Sequence, residues 1–229
     1  MTDFFKPKPP PAPSNVQVKD KTPHSIEFCW DEPPRPKDMP KSEIYIMGYE
    51  VFYKIEDSKP KRRIVDGFTT SILVKGLNPG TLVHDFTVKG RSEGGWGMAS
   101  LPPFQARSLP APPGQVDWAE VTDCTDHSAD LKWSKPSVEN GAAVKNYKIQ
   151  VYQPGKDGST VELETGSEVC RYVVTGLKPG TAYMFSVCAE NESGWGAWVS
   201  SPAYGLTRAA PPTRPTEVIA VKTTVDSVT

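Results

Sequence analysis

The chain has 229 residues, room for about two domains of ordinary size, and its 37% hydrophobic and 23% charged residues support packed cores and argue against disorder. A formal net charge of −1 excludes a global field that would gather nucleic acid or an anionic membrane. No apolar run reaches membrane-spanning length, and the opening "MTDFFKPKPPPAPS" lacks the apolar stretch of a secretory signal.

Taken in chain order, residues 1–12 form a proline-rich tail whose "KPKPPPAP" favours polyproline II, as a docking strap, a ligand for aromatic grooves or a disordered leader. Pro13-Ser-Asn-Val16 then opens the first of three similar copies, and Pro113-Gly-Gln-Val116 and Pro215-Thr-Glu-Val218 open the others. Ser25-Ile-Glu-Phe-Cys-Trp30 places Ile26, Phe28 and Trp30 on one parity, as Ser128-Ala-Asp-Leu-Lys-Trp133 does for Ala129, Leu131 and Trp133. Alternation of this kind predicts strands with one buried face. Tyr49-Glu-Val51 recurs as Tyr147-Lys-Ile149, and Gly76-Leu-Asn-Pro-Gly-Thr81 as Gly176-Leu-Lys-Pro-Gly-Thr181. Phe86-Thr-Val88 recurs as Phe185-Ser-Val187, and each copy then reaches a Gly-Trp-Gly triplet, at Trp96 and at Trp195. No helical period is sustained. About seven short strands per hundred residues predict an all-β chain: two tandem antiparallel β-sandwiches plus the start of a third. The divisions are a tail at 1–12, modules at 13–109 and 110–210, and a third opening strand at 211–229. The last copy breaks off just inside its core strand, so the chain is expected to be a piece of a longer array.

The set of Pro-x-x-Val, strand-B tryptophan, strand-C tyrosine and "GLKPGTAYMFSVCAENESGWG" resembles fibronectin type III modules, which are Ig-like sandwiches. The resemblance implies that Tyr183 ties the turn before its strand to nearby backbone, and that module 1, with one extra residue and His84 at that place, has a looser turn. It also implies that Trp96 and Trp195 sit in the loop before the last strand. Trp195 would then face the linker "RSLPAPPG", and Trp96 the proline tail. "SADLKWSKPSVENGAAVKNY" is most similar in style to modules of giant muscle proteins such as titin and the myosin-binding proteins. Ciliary and microtubule assemblies use comparable arrays.

Candidate protein-binding residues are Trp96, Trp195 and Trp198, since exposed tryptophan dominates binding energetics, and the basic run Lys59, Lys61, Arg62 and Arg63 in the loop after strand C. The bland alternative places each ring over its own sheet edge and the run at a solvated hairpin tip. Trp195-x-x-Trp198 is not the Trp-Ser-x-Trp-Ser box of cytokine receptors, because Gly196 and Val199 stand at the serine positions. Residues 13–109 carry 14 basic against 12 acidic groups and residues 110–210 carry 8 against 12, a mild charge asymmetry.

Cys29 stands alone in the first module, against Cys124, Cys170 and Cys188 in the second; odd numbers predict reduced thiols and a cytoplasmic site. His24, His84 and His127 lack companions at ligand spacing, and no phosphate loop or nucleophile elbow is present, so no metal, cofactor or catalysis is expected. Asn191-Glu-Ser193 is a formal glycosylation sequon. The expected function is a non-enzymatic, semi-rigid scaffold rod on a cytoskeletal filament, with protein partners, no nucleic acid, no membrane insertion and no small-molecule substrate. The alternative is an extracellular adhesion or receptor fragment.

Overall fold

A computed structural model describes residues 8–37, 45–155, 160–199, 202–214, 223–224 and 227–228. The first seven tail residues and most of the third opening strand lie outside the described residues.

Module 1 contains β1 (Ser14–Thr22), β2 (Ser25–Asp31), β3 (Gly48–Ile55), β4 (Lys61–Asp66), β5 (Ser71–Lys75), β6 (Leu82–Ser92), β7 (Gly95–Ala99) and β8 (Phe104–Arg107). Module 2 repeats the series as β9 (Ala119–Cys124), β10 (Ser128–Trp133), β11 (Asn146–Tyr152), β12 (Val161–Glu164), β13 (Arg171–Thr175), β14 (Ala182–Asn191), β15 (Gly194–Trp195) and β16 (Ala203–Leu206). In each module a three-stranded sheet (β1-β2-β5, and β9-β10-β13) faces a larger one (β4-β3-β6-β7 and β12-β11-β14-β15), with β8 and β16 extending β6 and β14. Every pairing is antiparallel, so the fold class is all-β as expected.

The period-two residues meet between the sheets. Trp30 is 3% exposed and Trp133 1%. Each packs edge-on against the tyrosine of the facing sheet: Trp30 on Tyr49 at 5.3 Å and 67°, Trp133 on Tyr147 at 5.2 Å and 64°. That near-identical geometry follows from the shared register, and an aromatic pair adds about 0.5–1.5 kcal/mol beyond its burial. His24 and His127 each close the turn before the core strand. Their Nδ1 atoms donate to the Leu77 and Leu177 carbonyls at 3.0 Å, and the same leucines return backbone N–H bonds to the histidine carbonyls.

Tyr183 does what the resemblance implied: the Lys178 N–H donates to its hydroxyl at 3.0 Å. Module 1 differs in a more specific way than a loose turn. Asp85 adopts φ 53° and the β6 register slips between Val83 and Phe86, so the extra residue is absorbed as a bulge. Val83 is thereby buried, and His84 is left to donate from Nε2 to the Glu56 carbonyl at 3.0 Å. The turn itself keeps its anchor, because Leu77 still donates to His24.

Candidate protein-binding face

The two Gly-Trp-Gly triplets use their glycines for different purposes. Each triplet enters from a two-residue hairpin, Ser92 pairing with Gly95 and Asn191 with Gly194. Gly95 and Gly194 take φ 104° and 119°, conformations that side chains disfavour. Gly97 and Gly196 instead yield space: a Cβ on either would lie 2.2 Å from the carbonyl oxygen of Pro10 or Pro113. The proline segment before each module runs hard against this second glycine. Residues 8–13 are therefore a docked strap, and the reading of a disordered leader does not hold for them; Ser92 Oγ also donates to the Lys8 carbonyl at 3.1 Å.

Between the glycines, the rings turn to the outer face of the larger sheet. Trp96 is 36% exposed, with the Arg91 guanidinium 5.8 Å from its ring centre. Trp195 is half-buried beneath Lys148, whose ammonium lies 4.5 Å from the ring centre and 3.5 Å from both Glu162 and Glu164. The expectation that Trp195 faces the linker is corrected: its ring lies over its own sheet, and the linker is held by Gly196 and Asn191. Trp198 is half-buried beyond it.

The basic run is also placed differently from expectation. Lys59 lies in the hairpin loop, but Lys61, Arg62 and Arg63 belong to an edge strand, β4, rather than to a loop. Alternation sends them to two faces. Arg62 pairs with Phe52 in register and forms an ion pair with the buried Glu50, whereas Lys61 and Arg63 stand opposite Tyr53 and Val51. Charged side chains on an edge strand oppose unwanted strand addition. The four cations thus do not form one patch.

What the structure does gather is a mixed face on the outer side of β4-β3-β6-β7. Met98 is 73% exposed on the same strand as Trp96, Ile64 is 60% exposed on β4 at the opposite edge, and between these edges Lys89 covers the Phe52 ring at 5.7 Å. The corresponding face of module 2 carries Glu162, Glu164 and Glu190 around Lys148 and Lys145. Sequence reasoning missed Ile64, Met98, Lys89 and Arg91. Lys89 and Arg91 continue the outward parity of Thr87 in β6, whereas Ile64 and Met98 lie on β4 and β7, segments expected to be loops.

It also missed the buried polar residues at the poles. Ser108 and Thr207 each accept from the N–H of a turn threonine and donate to a carbonyl of the same turn, Asn78 in module 1 and Lys178 in module 2. Among the described residues no group of three or more His, Cys, Asp or Glu side chains could hold a metal ion.

The fibronectin type III domain family matches residues 11–106 and 111–205. The chain belongs to that family. It is 30% identical over 195 residues to mouse protein sidekick-2, which spans 82% of this chain and 8% of that protein. It is 28% identical over 198 residues to chicken receptor-type tyrosine-protein phosphatase S, spanning 83% of this chain and 12% of that protein. A crystal structure of the chicken CNTN1 FN1–FN3 domains superimposes with a TM-score of 0.53 at 21% identity, covering 92% of this chain and 71% of that one, a likeness of fold. The chain thus spans about a tenth of the curated relatives it matches.

These relatives overturn two expectations. They are sidekick and receptor-type proteins rather than titin-like ones, which removes the support for a filament-bound scaffold and for a cytoplasmic, cytoskeletal or ciliary location. The thiol argument fails for a physical reason. All four cysteines are free, and one of them, Cys188, is buried. Cys188 lies buried on β14, its pKa pushed up to about 11 by burial, and Cys170, just before β13, shares a 3.3 Å contact with the Tyr147 hydroxyl. A buried, protonated thiol is inert in an oxidising compartment as in a reducing one.

Proposed function

We propose that this chain is a segment of the extracellular part of a cell-surface adhesion or receptor protein, a protein-binding spacer without catalytic activity of its own. The observation that carries the reading is similarity along more than four-fifths of the chain to sidekick-2 and to a receptor-type protein. The mixed face of module 1 supports a binding role. It combines an exposed tryptophan with Met98 and Arg91, residue types enriched at protein interfaces, and with Ile64 and Lys89 on the same sheet. Trp96 is the proposed centre of that face, while Trp195, Trp198 and the β4 cations are placed at its margins or in module 2. The test is to express the full parent protein with an epitope inserted in the 56–60 loop and to label intact cells. Labelling without permeabilisation, removed by external protease, is the expected result. An epitope reached only after permeabilisation would overturn the reading.

A further inference from the structure

The two modules meet at backbone. A Cβ built on Gly80, in the turn before β6, would lie 2.4 Å from the Gly141 Cα, and one built on Gly141 would lie 2.5 Å from the Gly80 Cα. Gly141 belongs to the loop between β10 and β11. No other residue type allows two chains to come this close. Gly180 provides the internal comparison, because it holds the same position in the module 2 turn with φ 58° and, among the described residues, nothing within 4 Å of its Cβ site. Glycine at 180 serves the turn alone; at 80 it serves the turn and the contact.

The linker between the modules is hydrogen-bonded along its length. Leu109 donates to the Thr22 carbonyl and accepts from the Gly80 N–H, each at 3.1 Å, which binds the linker's start to module 1. From Ala111 onward it is bound to module 2. Ala111 donates to the Asn140 carbonyl at 3.0 Å, Gly114 donates to Val138 at 2.8 Å, and Asn140 Nδ2 donates to the Pro112 carbonyl at 2.6 Å. Asn191, fully buried, directs Nδ2 at the Ala111 carbonyl at 2.8 Å and at Glu139 at 3.1 Å, with Ala142 at 3.4 Å. Its Oδ1 accepts from the Ser193 N–H at 2.8 Å. Both Nδ2 hydrogens are therefore committed, one of them to the linker.

We propose that the Gly80–Gly141 seat and the Asn191 clasp lock modules 1 and 2 into a single unit of fixed orientation, with the β10–β11 loop of module 2 as the occupant of the module 1 turn. Proline stiffens the linker, but the lock is what removes the hinge, since Leu109 is bound to module 1 and Ala111 and Pro112 to module 2, with Pro110 alone between them. The clasp also gives the Asn191-Glu-Ser193 sequon a structural use. A glycan would replace one Nδ2 hydrogen and stand in the junction, so a glycosylated Asn191 and a locked joint exclude one another. The inference holds whichever side of the membrane the chain occupies.

Residual dipolar couplings on the chain test it directly. The expected result is one alignment tensor shared by both modules. Gly80→Val, or Gly141→Val if the first compromises module 1, and Asn191→Ala should each split the tensor in two, while Gly180→Val, matched for backbone strain, leaves it single. Amide spectra of both modules report that each still folds. Separate tensors in the unaltered chain, or a single tensor surviving both Gly80→Val and Gly141→Val, would overturn the lock. A glycan found by mass spectrometry on Asn191 of a molecule that still shares one tensor would overturn the clasp.

Discussion

Gly196 and Pro113 touch so closely that a Cβ on the glycine would stand 2.2 Å from the proline carbonyl oxygen, and Gly97 stands in the same relation to Pro10. The contact explains why a tryptophan is flanked by glycines twice. One glycine turns the hairpin, the other admits the entering strand, and the ring between them is directed outward as a by-product of strand alternation.

Gly196→Ala should therefore destabilise module 2 by about 1–3 kcal/mol, the range for forcing an extra carbon into a packed site. Urea unfolding followed at module 2 resonances measures it. Gly97→Ala should cost module 1 a comparable amount. A change within about 0.5 kcal/mol, the ordinary range of surface substitutions, would mean that the proline segment can move aside.

Removing the Tyr183 hydroxyl tests the other turn. Tyr183→Phe leaves the Lys178 N–H without its acceptor and Gln153 Nε2 without its 3.1 Å partner. A lost acceptor at a partly buried donor costs about 1–3 kcal/mol. Module 2 should lose stability by that amount while module 1, with Val83 in the core at the bulged site, is unaffected. Equal midpoints for Tyr183→Phe and the unaltered chain would show water replacing the hydroxyl at no cost.

Parity made the sandwiches legible in the sequence: Ile26, Phe28 and Trp30 alternate because one sheet face must be dry, and the same residues line the core. The inserted residue near His84 was visible as a spacing, but its resolution into a bulge depends on which residue can bear φ 53°, and a sequence does not rank those choices. The seat was hidden for a different reason. Gly80 and Gly180 stand in the same Pro-Gly-Thr motif and differ only in what lies across from them. Compartment was misread because Cys188 and Cys170 were counted as unpaired without knowing that their sites are buried or hydrogen-bonded.

His84 supplies a pH dependence. Its hydrogen bond to the Glu56 carbonyl, with Asp85 assisting and Lys54 opposing, raises its pKa above the ordinary imidazole value of about 6.5. A raised folded pKa means that the native state holds the proton more tightly than the unfolded chain. The contribution is fully present below about pH 6.5 and is lost as pH rises through the folded value. The urea midpoint of module 1 should fall slightly across that window, and His84→Gln should flatten this part of the profile. A midpoint that rises with pH in the unaltered chain, or a fall that persists undiminished in His84→Gln, would assign the dependence to other groups.

The two kinds of tryptophan should separate cleanly. Trp133 is 1% exposed and fills the space between sheets, so Trp133→Ala should cost module 2 about 3–5 kcal/mol. Trp96, 36% exposed with Arg91 over its ring, should cost module 1 less than about 1 kcal/mol when truncated. If Trp96 centres the binding face, binding of the soluble chain to cell surfaces should weaken by about 2 kcal/mol or more in Trp96→Ala, roughly thirtyfold, with Met98→Ala weaker in effect and Trp198→Ala near neutral. A Trp96→Ala chain that unfolds as readily as Trp133→Ala would make the ring a structural cover. One that is stable and binds unchanged would move the binding face elsewhere.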